Sequence, residues 1–216
     1  MSDSLSKTAE RLDQLGLEAA ANRDALNPLF ELARPRLMRI IGLRTPRELQ
    51  SRVDIEDIVQ EVFSRATQRF EMYASRNPVP VFIWLRGLAI DLLIEQKRKH
   101  LGAECRAVSR EIDKGQWLRE TSLAMTRIQD SGARSPSAIV ADRQRGVDLR
   151  SALEKLPENY REVLVLRFFE SLSVAEAAAA MDCSVANAKV LQFRAIKKLQ
   201  DVMRAEFGWD SLDQLG

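Results

Sequence analysis

The side chains best suited to a specific chemistry form a basic run near the end of the chain. Between Val185 and Arg204 the sequence holds five basic residues and one acid, a local charge of +4. Basic side chains of this kind neutralise phosphates, and amides such as that of Asn187 can reach base edges. The run is either a simply solvated basic face or, as the interpretation that we favour, a contact with duplex DNA. The residues predicted to make that contact are Ser184, Ala186, Asn187, Lys189, Val190, Arg194 and Lys197.

A helix-turn-helix is the element that would present this run. Ser173 and Glu176 have the S-x-x-E spacing of a capping box, which begins a short helix. Residues 182–184 then interrupt the helical pattern, and Ser184 can cap a second helix. The second helix of such a pair enters the major groove. Asp182 stands at the turn position where glycine is usual, and aspartate tolerates the left-handed backbone better than most residues.

A supporting helix is predicted just upstream of this pair. Pro157 suits a first helical position, and the pattern then continues over residues 158–170. The residues expected to share its register are Tyr160, Val163, Leu164, Arg167 and Phe168.

A second chemically distinctive stretch is acidic. From Asp54 to Glu61 there are four acids and no base, a local charge of −4. Apolar residues recur at helical spacing through this stretch as far as Phe70, and Asp54 can cap the helix. The acids then point away from the apolar stripe. Such a face is either simply solvated or complementary to a basic protein partner, for which it would set register and on-rate.

A third stretch, the helix predicted from Val81 to about Lys99, carries an unusual polar stripe. Its members fall within about 100° of one another on a helical wheel: Trp84, Gly87, Asp91, Glu95 and Arg98. Asp91 and Glu95 repel at this spacing, so the stripe does not serve helix stability. Five bases and one acid lie between residues 97 and 110. An aromatic residue beside basic residues can hold single-stranded nucleic acid, and a half-buried core tryptophan is the simpler alternative.

Composition and the remaining patterns predict an all-α protein of two small domains. Among 216 residues, 6% are aromatic, with nine glycines and seven prolines, which is typical of helical rather than turn-rich proteins. A further helix is expected from Asp24 to Leu43, with a kink or break at Pro35. Breaker residues at 130–136 indicate a linker. The predicted division is an N-terminal extension at 1–23, a first domain at 24–100, a linker at 101–146, a helix-turn-helix domain at 147–205 and a tail at 206–216.

Several classes of protein are disfavoured. A single histidine, two distant cysteines and the lack of a GxGxxG or P-loop motif argue against a metal site, a cofactor and an enzyme. The N-terminus lacks the apolar segment of a signal peptide, and the most apolar stretch, interrupted by Arg86 and Asp91, is too short to cross a bilayer. We therefore expect a cytoplasmic protein. The total of 33 bases and 31 acids would disfavour nucleic acid as a partner if the charges were not segregated.

Three motifs, taken in order, resemble those of bacterial RNA polymerase sigma factors of the extracytoplasmic-function (ECF) type. They are Asp57-Ile-Val-Gln-Glu-Val-Phe63, then Phe82-Ile-Trp-Leu85, then the block from Leu153 to Phe168 with the helix-turn-helix after it. The resemblance covers about residues 25–99 and 148–204. Trp84-Leu-Arg-Gly87 and Ser135-Pro-Ser137 are most similar to the expanded sigma groups of planctomycete-type bacteria.

The resemblance implies a function and its partners. Members of this family bind core RNA polymerase, recruit it to promoters and help open the duplex, and they perform no chemistry themselves. It implies that the helix after Ser184 reads the upstream promoter element in duplex DNA. It implies a polymerase-docking surface formed by Asp54, Asp57, Ile58, Gln60 and Glu61. It also implies a reader of the downstream element, in the melted strand, formed by Trp84, Asp91, Glu95, Lys97 and Arg98.

Some expectations stay open at this point. We expect a monomer, and the sequence does not decide whether an anti-sigma factor is a further partner. Many relatives carry Asn and Asp where this chain has Asp91 and Glu95, which leaves the base preference open. Ala188 replaces a bulkier aliphatic residue, which predicts a slightly looser helix-turn-helix core. Two alternative functions are a stand-alone helix-turn-helix regulator, which would dimerise on palindromic sites, and a helical adaptor that binds only protein.

Overall fold

The computed structural model describes residues 2–45, 52–76, 79–101, 147–149 and 151–208, and within these ranges it contains helices and no strand. The predicted all-α class is therefore confirmed. Most of the predicted linker and the tail beyond residue 208 lie outside the described residues. We call residues 2–101 the N-terminal unit and residues 147–208 the C-terminal unit.

The residues expected to be an N-terminal extension form a helix, α1, Ser2–Ala21. Its Leu12 is 0% exposed and belongs to the main hydrophobic core. The Asp13 Oδ1 atom accepts a hydrogen bond from the backbone N–H of Val81 at 3.0 Å, so α1 caps a helix of the first domain. Gly16 permits this close approach, because a Cβ atom there would lie 3.3 Å from the Cβ of Val81. Helix α1 is therefore packed as part of the N-terminal unit.

Because α1 contributes to the core, we predict that Leu12→Ala lowers the free energy of unfolding by about 2–5 kcal/mol, the usual cost of a buried cavity. Leu17 lies on the same helix and is 59% exposed. Leu17→Ala is the matched control and should change stability by less than about 0.5 kcal/mol. Urea unfolding of both variants measures the difference, and equal effects would contradict the packing of α1.

Three long helices complete the N-terminal unit: α2, Leu26–Arg44; α3, Ile55–Arg76; and α4, Val81–Leu101. A short 3-10 turn, Arg23–Ala25, precedes α2. The predicted apolar stripes face the core, and the Phe30 and Phe63 rings stack at 4.5 Å to join α2 to α3. Helix α2 is continuous through Pro35, so a break there is wrong. Buried contacts on both sides of the proline, at Ala33 and Leu37, hold the helix together despite the missing N–H.

The C-terminal unit is a second cluster of short helices. Helical residues at 147–149 and 151–154 are followed by α5, Glu158–Leu164, a π-helical turn, Val165–Phe169, then α6, Val174–Ala180, and α7, Val185–Phe207. Helix α7 ends at Gly208, whose φ of 68° is the left-handed conformation that favours glycine. The core of this unit is formed by the following buried residues: Ala152, Leu153, Leu156, Val163, Leu164, Ala195, Leu199 and Met203.

The supporting helix differs from expectation in two ways. Pro157 is the cap that precedes α5 and not its first helical residue. The α-helix ends at Leu164, and the N–H of Glu170 then donates to the carbonyl oxygen of Val165 at 3.0 Å, five residues back. The wider π turn shifts the register of the residues that follow. As a result Phe168, which the regular pattern placed in register with the inward residues, is 53% exposed.

Candidate DNA-binding and polymerase-docking surfaces

The helix-turn-helix is fixed locally by the predicted caps. The Ser173 hydroxyl accepts from the N–H of Glu176 at 3.2 Å, and the Ser173 N–H donates to the Glu176 carboxylate at 2.8 Å, which completes the capping box. Asp182 has a φ of 50° and so takes the left-handed conformation expected for the turn. The Ser184 hydroxyl accepts from the N–H of Asn187 at 3.1 Å and caps α7. The predicted helix-turn-helix is therefore present.

Helix α7 presents its basic face to solvent. All the residues predicted to contact duplex DNA are exposed: Ser184, Ala186, Asn187, Lys189, Val190, Arg194 and Lys197. Ala188 and Ala195, on the opposite side, are 1% and 0% exposed. Phe193 is 71% exposed and lies four residues from both Lys189 and Lys197, on the same face. The exposed surface of α7 is thus basic with apolar side chains among the charges.

The acidic surface on α3 is less negative than its sequence suggests. The Asp54 carboxylate accepts from the N–H of Glu56 at 2.8 Å and caps the helix as predicted. Glu56 forms an ion pair with Arg34 of α2, and Glu61 accepts a hydrogen bond from the Arg65 Nε atom at 2.8 Å. Two arginines of the chain itself therefore offset part of the local charge of −4.

Trp84 is half-buried and packed among aromatic rings. Its ring stacks on that of Tyr73, with centroids 4.4 Å apart and an angle of 14° between the planes, and it meets the Phe70 ring edge-on at 6.0 Å. The Tyr73 hydroxyl donates to the carbonyl oxygen of Val79 at 2.8 Å, which fixes the stack. One helical turn after Trp84, a Cβ atom added to Gly87 would meet nothing within 4 Å. Trp84 is therefore rigidly held beside an uncrowded stretch of helix surface.

Glu95 is held by an arginine from the neighbouring helix. The Arg65 guanidinium donates to both carboxylate oxygens of Glu95, at 2.7 and 2.8 Å, the bidentate geometry of a strong ion pair. These hydrogen bonds lower the pKa of Glu95, so the carboxylate stays ionised. Arg65 offsets the repulsion between Glu95 and Asp91 that their spacing predicts. Since Arg65 also binds Glu61, it joins the acidic surface of α3 to the polar stripe of α4.

Comparison with known proteins agrees with this geometry. Residues 146–199 match the family model described as Sigma-70, region 4, and this range contains α6, the turn and α7 as far as residue 199. The chain is 28% identical over 202 residues to the ECF RNA polymerase sigma factor SigD of Mycobacterium tuberculosis, covering 93% of this chain and 88% of SigD. It is also 28% identical over 147 residues to the ECF RNA polymerase sigma-E factor of Escherichia coli, covering 66% and 70% of the two chains.

The region 4 match and the similarity over most of the chain support an RNA polymerase sigma factor of the ECF type. Among solved structures, that of CnrH in complex with the cytosolic domain of CnrY is similar to this chain at 22% sequence identity and a TM-score of 0.47, covering 90% of this chain and 97% of the matched chain. The assignment rests on the sequence relatives and on the region 4 match.

One residue of the predicted docking surface does not lie on the surface of the protein. Ile58 is 4% exposed and belongs to the main core, because it falls on the apolar stripe of α3. Asp54, Asp57, Gln60 and Glu61 are exposed and remain the predicted docking residues. Ile58 is therefore removed from that surface.

Arginines are the functional candidates that sequence reasoning missed. Arg65 had a detectable signal, since it follows Glu61 at the helical spacing that favours an ion pair. Arg34 and the arginines that contact the C-terminal unit had none, because their partners are distant in sequence. Within the residues described, no helix is long and apolar enough to span a membrane, and no cluster of His, Cys, Asp and Glu side chains suits a metal ion.

Proposed function

We propose that this protein is an ECF-type sigma factor that binds core RNA polymerase, directs it to specific promoters and helps melt the DNA for initiation. The observation that carries the proposal is the capped helix-turn-helix with an exposed basic second helix, most of which lies within the region 4 match. The relatives named RNA polymerase sigma factors cover most of the chain and support the same function for the N-terminal unit.

The separation of charge supports two kinds of partner. The basic face of α7 suits phosphates of duplex DNA, whereas the acidic residues Asp57 and Glu61 on α3 suit a basic protein surface. We assign α7 to the upstream promoter element and the exposed face of α3 to core polymerase. A single chain that carries both surfaces can bring polymerase and promoter together.

The polar stripe of α4 is proposed to read the downstream element. Trp84, Asp91 and Arg98 lie at spacings that place them on one side of α4. Glu95 lies on that side as well, but its carboxylate is engaged by Arg65. We propose a positioning role for Glu95 through Arg65, and we assign base contacts to Trp84, Asp91, Lys97 and Arg98 as the resemblance implies.

Because Trp84 offers an aromatic face for an unstacked base, we predict that Trp84→Ala impairs promoter opening more than it impairs closed-complex binding. Loss of one base–aromatic contact corresponds to about 1–3 kcal/mol, or roughly 5- to 150-fold in the opening equilibrium. Permanganate reactivity of thymines measures opening, and gel retardation of the closed complex measures binding.

A control is needed because Trp84 also packs on Tyr73. Trp84→Phe keeps an aromatic ring at the site, so it should open the promoter better than the alanine variant at similar thermal stability. Equal losses of opening and of closed-complex binding in Trp84→Ala would argue against a role in melting.

Several further properties follow from the proposed role. The protein acts without catalysis and without a cofactor or metal, since its task is binding and positioning. We place it in the cytoplasm, where bacterial polymerase and promoters are found, and expect it to act as a monomer. An anti-sigma factor as a further partner stays a prediction, as does similarity to planctomycete-type sigma groups.

The proposal is tested by mixing the protein, core polymerase and labelled genomic DNA fragments, then separating complexes by size. A sigma factor should enrich a subset of fragments only when all three components are present. A stand-alone helix-turn-helix regulator would enrich fragments equally well without polymerase, and an adaptor would enrich none.

A further inference from the structure

The two units meet through a buried group of charges that neither proposed binding surface uses. Glu170, just after the π turn, receives hydrogen bonds from Arg44 Nε of α2 at 2.5 Å and from Arg86 Nε of α4 at 2.6 Å. The side chains of Arg44 and Glu170 are 0% exposed and that of Arg86 is 6% exposed. Glu162 of α5 approaches Arg44 at 3.4 Å and completes a neutral group of two arginines and two glutamates.

Opposite charges outweigh burial for Glu170 and Arg86. Burial raises the pKa of Glu170, but the charges of Arg44 and Arg86 outweigh it, so its pKa is lowered. Burial lowers the pKa of Arg86, but the charge of Glu170 outweighs it, so its pKa is raised. Removing charges from water is costly, and their mutual attraction only offsets that cost. These buried ion pairs therefore determine the relative orientation of the two units more than they stabilise the association of the units.

A second ion pair and an apolar contact lie beside this group. Arg36 of α2 donates to the Glu176 carboxylate at 3.0 Å, and its guanidinium lies 3.7 Å from the centre of the Phe82 ring. Glu176 is the capping-box residue of α6, so the pair reaches the helix-turn-helix itself. Three apolar residues of the C-terminal unit are buried in the core of the N-terminal unit: Leu166, Leu172 and Ala177.

The chain is long enough to let the units separate. Residues 102–146 connect them, and 45 residues reach up to about 150 Å when extended, far more than two touching units need. On separation, each buried charge returns to water, and no charge is left buried without a partner. The electrostatic cost of opening is therefore smaller than that of removing one charge from the closed form, and the exposure of Leu166, Leu172 and Ala177 is the apolar cost that opposes opening.

We propose that Arg44, Arg86 and Glu170, together with the pair Arg36–Glu176, form a latch that holds the sigma factor closed. In the closed form the C-terminal unit fixes the direction of α7 relative to α3 and α4. Polymerase binds the open form, in which the two units can take separate positions on polymerase and promoter. This coupling rests on the proposed function, whereas the closed and open states belong to the free protein.

Two variants should move the equilibrium in opposite directions. Glu170→Gln leaves two arginines buried around a neutral amide and should open the protein. The triple change Arg44→Met, Arg86→Met and Glu170→Leu replaces the charges with apolar side chains, which often strengthens such contacts, and should keep it closed. Glu206→Gln is the control, because it removes a carboxylate from an exposed ion pair with Lys155 inside the C-terminal unit.

Small-angle X-ray scattering of the full chain measures opening, and titration with core polymerase measures its consequence. Glu170→Gln should raise the radius of gyration by several ångströms. It should also bind polymerase about tenfold or more tightly if the open form of the wild type is about 10% populated or less. The triple variant should stay compact and bind more weakly than the wild type, and Glu206→Gln should match the wild type in both.

The results that overturn the latch are distinct from those that overturn the function. An unchanged radius in Glu170→Gln, or a wild-type affinity in the triple variant, would overturn the latch. If Glu170→Gln loses its helical circular dichroism, the triple variant still decides the question. If neither the wild type nor any variant binds polymerase, the proposed function and the coupling are overturned. The scattering data would still show whether the charges hold the free protein closed.

Discussion

Lys189→Ala and Arg194→Ala are each expected to weaken binding to the upstream promoter element by about tenfold at 0.1 M salt. Both side chains are exposed on α7, where they can neutralise one phosphate each. Losing one such contact changes the slope of log K against log salt by about 0.9. A variant that binds like the wild type at 1 M salt therefore binds about tenfold more weakly than the wild type at 0.1 M salt. Fluorescence anisotropy on a labelled promoter duplex at several salt concentrations measures both quantities.

Two matched variants separate phosphate contacts from other effects. Lys155 is a half-exposed lysine of the same unit that pairs with Glu206, and Lys155→Ala should leave the salt slope unchanged. Asn187→Ala should lower the free energy of binding by about 1–3 kcal/mol only for duplexes that carry the cognate base, as expected for a base-edge contact. It should leave the slope of log K against log salt unchanged. An unchanged slope in both Lys189→Ala and Arg194→Ala would remove α7 from its assigned role.

Charge reversal at Asp57 and Glu61 is expected to weaken binding to core polymerase by more than about 100-fold. Close charge pairs across an interface couple by about 1.5–7 kcal/mol each, so two lost pairs exceed the roughly 2.7 kcal/mol that 100-fold requires. The fold should survive, since both residues are exposed and the new repulsion between residue 61 and Arg65 costs only about 0.2–0.5 kcal/mol. Pull-down of core polymerase and a thermal melt test the two parts.

Glu71→Lys is the control for this surface. Glu71 lies on the same helix, is 80% exposed and pairs with Arg23, away from the acidic stretch. Its reversal should leave polymerase binding within about twofold, because an exposed pair contributes little. Normal co-purification of the Asp57 and Glu61 variant with polymerase would exclude α3 as the docking surface.

The features that the sequence predicts well depend on residues close together in the chain. The capping box joins Ser173 to Glu176, and the cap of α7 joins Ser184 to Asn187, each over three residues. The apolar stripe of α3 likewise repeats every three or four residues, as far as Phe70. Local hydrogen bonds and helical periodicity determine these features, so the helix-turn-helix and the face of α3 follow from the amino-acid sequence alone.

The features that the sequence does not reveal depend on distant partners. Glu170 meets Arg86 from 84 residues away and Arg44 from 126 residues away, and no local pattern relates them. Arg65 reaches Glu95 across 30 residues, so no local pattern reveals that this predicted site residue is held by an arginine of the neighbouring helix. The π turn is hidden for another reason, since it inserts one residue into a regular pattern and so exposes Phe168.

Run-off transcription with core polymerase is the most direct test of the sigma-factor role. Core polymerase alone should give no discrete transcripts from genomic fragments, and addition of the protein should give transcripts that start at defined positions. The variants with Asp57 and Glu61 reversed, or with Lys189 and Arg194 both replaced by alanine, should lose these transcripts while staying folded. If the wild-type protein binds DNA yet yields no more discrete initiation than core polymerase alone, it does not act as a sigma factor.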